Sequence, residues 1–143
     1  MATSTSEQNI LIVEDQEGPR QALVMILSPF YRVSTAETAS AGLKCLAARA
    51  TDLVIMDVGL PDYSGLELLR RVRTSGHTVK VIMMSGGGSV ESAEEAMRLG
   101  AVAYLLKPFN LMEVLALVKD VLKACAAESI QPIPTRTHPI LPA

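Results

Sequence analysis

Leu53-Val54-Ile55-Met56-Asp57 is the stretch that decides the fold. Four apolar residues in a row follow neither a helical nor a two-residue period, and the run is too short for a helix. Such runs are strands buried on both faces. Working outward, four other stretches repeat the pattern at nearly even spacing. They are Asn9–Glu14 (NILIVE), Tyr31–Ala36 (YRVSTA), Lys80–Ser85 (KVIMMS) and Ala103–Lys107 (AYLLK). Between the runs lie amphipathic stretches with helix start and stop signals. Pro19 suits a first helical turn, and that helix is predicted to run to about Ser28, ahead of Pro29. A second covers about Thr38 to Arg49, with Leu43, Leu46 and Ala47 facing inward. Ser64 and Glu67 form an S-x-x-E capping box ahead of Leu66, Leu69 and Val72, and Gly76 closes that helix. Ser89 caps a fourth helix that stops at Gly100. Asn110 and Glu113 make a weaker box for a fifth, whose stripe is Leu111, Val114, Leu115, Val118, Val121, Leu122 and Cys125. Strand and helix alternate five times. The prediction is a (βα)5 doubly wound α/β domain, its parallel sheet covered by helices on both faces.

The chain has 143 residues, 49% of them apolar but only 3% aromatic, so one core must be built from Leu, Val, Ile, Ala and Met. A formal net charge of −2 argues against a surface that coats nucleic acid. Cys45 and Cys125 have no partners at metal-ligand spacing, so neither a zinc site nor a disulfide framework is indicated, and two buried free thiols are the expectation. No apolar run approaches the ~20 residues of a membrane span, and Met1 to Gln8 is not a signal peptide. A soluble cytoplasmic protein is expected. Residues 1–8 read as a flexible tail and 9–127 as the folded domain. Residues 128–143 carry Pro132, Pro134, Pro139 and Pro142 and read as a linker or tail, which either ends the protein or leads to an effector domain beyond Ala143.

In a doubly wound sheet, ligands bind at the carboxyl ends of the strands. Those ends carry Glu14 and Asp15, then Asp57, then Ser85 before Gly86-Gly87-Gly88, then Lys107 before Pro108. Three carboxylates at one edge repel each other and call for a cation. An all-oxygen cluster with open positions suits Mg²⁺. Lys107 adds a point charge for Asp57 or a phosphoryl group, and Ser85 a hydrogen-bond donor. The set fits phosphoryl transfer, with Asp57 as the nucleophile.

The stretches ILIVEDQ, LVIMDVGLPDYSGLELLRRVR, VIMMSGGG and GAVAYLLKPF together resemble the receiver domain of two-component response regulators, over about Asn9 to Ala124. The resemblance implies a flavodoxin-like fold with strand order 2-1-3-4-5. It implies that Asp57 is the phosphoacceptor. It implies that Asp15 and Asp57 hold Mg²⁺ directly, that Glu14 acts mainly through water, and that the Gly59 carbonyl supplies a further ligand. It implies too that Lys107 neutralises a phosphoryl oxygen, that Ser85 and Tyr104 form the switch, and that the Lys107–Pro108 bond is cis. It further implies a sensor histidine kinase or phosphotransfer protein as partner, no direct nucleic-acid or membrane binding by this domain, and a helix 4–strand 5–helix 5 face read by a partner or a second copy. On this reading the domain is a phosphoacceptor, not a turnover enzyme.

Gly59 and Gly87 leave two positions beside the acceptor without side chains, and Val102 and Ala103 stand where winged-helix regulators carry aspartates. Two rival readings fit these residues less well. A phosphatase of the haloacid-dehalogenase type needs a second aspartate two residues after the nucleophile, where Gly59 stands. A flavodoxin-like small-molecule binder leaves Lys107 and the acidic cluster unexplained.

Overall fold

The computed structural model describes residues 8–87 and 89–127. Residues 1–7 and 128–143, Gly88 and the side chains of residues 124–127 lie outside what is described. The elements are β1 (Asn9–Val13), α1 (Glu17–Leu27), β2 (Arg32–Ala36), α2 (Ala39–Ala48), β3 (Leu53–Asp57), α3 (Gly65–Thr74), β4 (Lys80–Ser85), α4 (Val90–Arg98), β5 (Ala103–Leu106) and α5 (Leu111–Ala127). All strand pairs are parallel, in the order β2-β1-β3-β4-β5. This is the flavodoxin-like doubly wound sheet, whose order reverses between β1 and β3.

Side chains alternate across each strand, so the central runs feed two cores. Leu11, Val13, Val54, Met56, Val81 and Met83 face Leu46, Leu68, Leu69, Val72 and Ala96 of α2, α3 and α4. Ile10, Ile12, Leu53, Ile55, Ile82 and Met84 face Leu23, Leu27, Val114, Leu115, Val118 and Leu122 of α1 and α5. Burial of each Val, Leu, Ile or Met among them contributes about 1.5–3 kcal/mol. β2 departs from the two-face expectation: Arg32 and Thr35 are exposed, because β2 is an edge strand with a neighbour on one side only.

The helix ends follow the local chemistry. Thr38, Ser64 and Ser89 each accept an amide of their own first turn, from Ala41, Glu67 and Ser92. Asn110 Oδ1 accepts from Met112 N at 2.8 Å and Glu113 N at 3.1 Å. Gly76 and Gly100 end α3 and α4 at φ +91° and +87°, a conformation L side chains resist. The Ser64 box is half-formed, since the Glu67 carboxylate turns outward to Arg70 and Arg71. In α2, Ala39, Gly42 and Leu46 are buried and Ala47 is exposed, against expectation. Gly42 explains it: a Cβ there would lie 2.9 Å from Val13 Cγ2, so the helix rolls onto its small face. Cys45 is half-buried rather than fully buried. Gln8, read as tail, is tied in: its carbonyl accepts from Arg32 N at 3.1 Å, and its amide donates to Leu122 O at 3.3 Å.

Arg73 closes the end of the domain away from the acidic cluster. It donates to Leu99 O at 2.7 Å, Val79 O at 2.8 Å, His77 O at 3.1 Å and Gly100 O at 3.3 Å. Burial lowers its pKa below the usual arginine value. No helix among the described residues is long and apolar enough to cross a membrane.

Candidate functional site

Strand register assembles the site. Val13 pairs with Met56, so Glu14 leaves β1 level with Asp57. Asp57 pairs with Met84, and Ser85 pairs with Leu106, so Lys107 emerges beside Ser85. Backbone bonds continue the ladder past the strands: Val58 N to Met84 O and Lys107 N to Ser85 O, both at 2.8 Å. Residues far apart in sequence thus meet at one sheet edge.

Glu14 is wholly buried, Asp57 is 6% exposed, and Asp15 faces solvent. One carboxylate oxygen from each lies within 4.8 Å of the others. Lys107 Nζ stands between two of them, 2.7 Å from Glu14 Oε1 and 2.8 Å from Asp57 Oδ1. The contact to Asp57 Oδ1 is a charge pair in which that oxygen accepts no aligned hydrogen bond. Asp57 Oδ2 accepts from Gly59 N at 2.9 Å, and Glu14 Oε2 from Gln16 N at 3.1 Å. Burial alone would lower the pKa of Lys107, but the negative charges of Asp57 and Glu14 beside it hold it above the ordinary lysine value. The lysine is therefore a fixed cation.

The donor set fits a hard divalent cation. One lysine does not balance three carboxylates, and Asp57 Oδ1 is buried without an aligned donor. Glu14, Asp15 and Asp57 are the carboxylates gathered there to meet such a cation.

Ser85 is 5% exposed, and its Oγ accepts from Gly87 N at 3.2 Å. Tyr104 is 7% exposed, and its hydroxyl donates to Ser92 Oγ of α4 at 3.3 Å. This structure holds Tyr104 inward against α4. The Lys107–Pro108 peptide is cis.

Three contributors escaped the sequence reading. Gly65 begins α3 directly behind the acceptor: a Cβ there would lie 2.1 Å from the Asp57 carbonyl oxygen, and Gly65 N donates to Val58 O at 2.8 Å. A glycine straight after the N-cap Ser64, where helix formers do better, was the available signal. Arg20 Nη1 donates to Glu14 O at 3.1 Å and Asp15 O at 3.2 Å, while Nη2 faces Glu37 Oε2 at 3.6 Å. It holds the backbone from which both acids project. Asp62 reaches across to α2, accepting from Ala39 N and Ser40 N.

The family model for the response regulator receiver domain matches residues 10–119. Response regulator protein FleR of Pseudomonas aeruginosa is 40% identical over 110 residues, which cover 76% of this chain and 23% of FleR. Sporulation initiation phosphotransferase F of Bacillus subtilis is 31% identical over 116 residues, covering 80% of this chain and 94% of that protein. The chain spans 58% of transcriptional regulatory protein FixJ of Bradyrhizobium diazoefficiens, so several relatives are much longer than the matched region. A solved response regulator receiver domain protein (CheY-like) from Methanospirillum hungatei JF-1 superposes with a TM-score of 0.82 at 33% identity, covering 86% of this chain and 99% of that one. The BeF3-activated DrrB receiver domain gives 0.75 at 31% identity, covering 82% and 99%. Sheet order, the acid–lysine constellation and these matches lead to one conclusion: the chain belongs to the response regulator receiver domain family.

Proposed function

We propose that Asp57 accepts a phosphoryl group from the phosphohistidine of a sensor kinase or phosphotransfer protein, and that the added charge switches the α4–β5–α5 face. A carboxylate oxygen of Asp57 attacks phosphorus, the N–P bond breaks, and its electrons return to the imidazole. Lys107 supports this by placing a fixed positive charge 2.8 Å from Asp57 Oδ1, where a phosphoryl oxygen would gather charge. The Gly59 amide holds the other carboxylate oxygen. Mg²⁺, when bound by Glu14, Asp15, Asp57 and the Gly59 carbonyl, supplies further neutralisation of the transferred charge. Ser85 then trades its contact with Gly87 for a phosphoryl oxygen. Such a charge-assisted bond contributes roughly 1.5–3 kcal/mol. The inward Tyr104, bonded to Ser92, couples that movement to α4. The functional unit on this reading is 9–127, cytoplasmic, with an effector or a second copy reading the switched face.

The observation that carries the proposal is the convergence of Glu14, Asp15 and Asp57 on one Lys107 at the carboxyl edge of the sheet. The test is incubation with a small phosphodonor and Mg²⁺, followed by intact-mass analysis and mapping. One label per chain on Asp57, lost in Asp57→Asn, is expected. Labelling that persists in Asp57→Asn and maps elsewhere refutes the assignment, and sustained release of phosphate marks a phosphatase instead.

A further inference from the structure

Asp62 is exposed and sits in the loop between β3 and α3, yet both its carboxylate oxygens are engaged by another element. Oδ1 accepts from Ala39 N at 2.8 Å and Oδ2 from Ser40 N at 2.9 Å, both in the first turn of α2. The next amide, Ala41 N, is taken by Thr38 Oγ1 at 3.0 Å. Two donors that α2 cannot satisfy internally are thus met by a carboxylate more than twenty residues further along the chain. Desolvation pushes the Asp62 carboxyl up, but the backbone donors of Ser40 and Ala39 outweigh it and hold the group well below the usual carboxylate range. The clamp therefore stays charged at neutral and mildly acid pH.

The loop that Asp62 anchors is the one that touches the acceptor. Gly59 N donates to Asp57 Oδ2 at 2.9 Å, and a Cβ on Gly59 would lie 3.4 Å from the same oxygen. Gly65 N closes the loop onto Val58 O, and Tyr63 packs its ring under the Arg71 guanidinium, 4.1 Å from the ring centroid. Both ends of the loop are thus fixed to β3 and α3, and Asp62 supplies a third point, on α2.

We propose that Asp62 is a positioning residue for the acceptor: by clamping the β3–α3 loop to the first turn of α2, it holds the Gly59 amide on Asp57 Oδ2 and so fixes the orientation of the reacting carboxylate. This rests on Asp57 being the phosphoacceptor. The bland alternative is a helix cap with no bearing on the site. The two readings separate because α2 has a second cap, Thr38, which does not belong to the loop.

The experiment compares the whole chain with Asp62→Ala, Asp62→Asn and Thr38→Ala. Three quantities are read: the urea midpoint, the Gly59 amide resonance in ¹H–¹⁵N spectra, and the initial rate of Asp57 labelling by a small phosphodonor with Mg²⁺. Asp62→Ala and Thr38→Ala should both lower the midpoint. Only Asp62→Ala should move the Gly59 resonance and slow labelling, by roughly tenfold, the scale expected when a reacting group is displaced by a fraction of an ångström. Asp62→Asn, which keeps an oxygen acceptor for one amide, should fall between, and it decides the matter if the alanine variant does not fold. An unmoved Gly59 resonance with wild-type labelling in the Asp62 variants overturns the proposal, as does equal slowing in Thr38→Ala. Wild-type protein that takes no label defeats the phosphoacceptor reading instead, and the Gly59 resonance still decides whether the clamp exists.

Discussion

Replacing Lys107 with methionine removes one charge and keeps most of the side-chain stem. The ammonium lies 2.7 Å from Glu14 Oε1 and 2.8 Å from Asp57 Oδ1, with the lysine side chain 19% exposed and that of Glu14 fully buried. At an effective dielectric constant of about 20, each contact is a gross attraction of about 6 kcal/mol. Desolvation of the three groups offsets most of this. Removing one partner of a buried pair nonetheless costs about 3–5 kcal/mol, since a buried charge is left behind. Partial exposure of the lysine puts the expected loss near the lower end, about 3 kcal/mol. Urea unfolding in metal-free buffer should then show the midpoint falling by about 1–3 M. Adding Asp57→Asn to the same chain should recover about 1 kcal/mol or more, because it deletes one of the two stranded anions. The lysine is held above its ordinary pKa. Its contribution is therefore complete below about pH 10.4 and is lost as pH rises through the raised folded value. The gap between wild type and variant should accordingly stay level from about pH 6 to about pH 9 and close in strong alkali. A variant within about 0.5 kcal/mol of wild type, the range of an ordinary surface substitution, would refute this electrostatic account.

Three further outcomes are expected. Gly65→Ala should destabilise the fold by about 3 kcal/mol in the same assay, because its methyl group would lie 2.1 Å from the Asp57 carbonyl; wild-type stability there would contradict the close approach. Asp15→Asn should weaken Mg²⁺ binding roughly tenfold or more by calorimetry while leaving metal-free stability unchanged or higher, and unaltered affinity would remove Asp15 from the ligand set. Gly87→Tyr meets nothing within 4 Å of its Cβ, so it should fold normally and shield the phosphoryl group; an unchanged rate of label loss would dismiss the idea that water access sets the lifetime.

The strands and their polar ends were legible because both signals are local. LVIMD and KVIMMS carry their burial in four or five consecutive letters and coincide with β3 and β4. Glu14, Asp57, Ser85 and Lys107 could be gathered on paper, since a parallel sheet sends every strand's carboxyl end to the same edge. What stayed hidden depends on backbone partners far away in sequence. Arg73 binds carbonyls just past the end of α4, and Asp62 binds amides of α2. A sequence names side chains, but every residue offers the same amide and carbonyl, so nothing marks which of them will be met. Ala47 faces outward for a related reason. A helical stripe ranks faces by hydrophobicity, whereas α2 was rolled by the steric demand of Val13 against Gly42. The inward Tyr104 needed the position of Ser92, which lies on a different element.

Arg73 gives α4 unequal ends. At the C-terminal end it grips the carbonyls of Leu99 and Gly100, and Arg70 pairs with Glu95 on the same helix. At the N-terminal end Gly86 and Gly87 have no side chains, and nothing lies within 4 Å of where one would start. A nine-residue helix is about 13.5 Å long. The C-terminal end is thus held by several contacts, whereas near the N-terminal end the Tyr104 hydroxyl donates to Ser92 Oγ. On the proposed switch, a push at Ser85 would tilt the helix rather than slide it, with displacement growing towards Val90, which is 72% exposed. A protein that reads this face would be reading an angle.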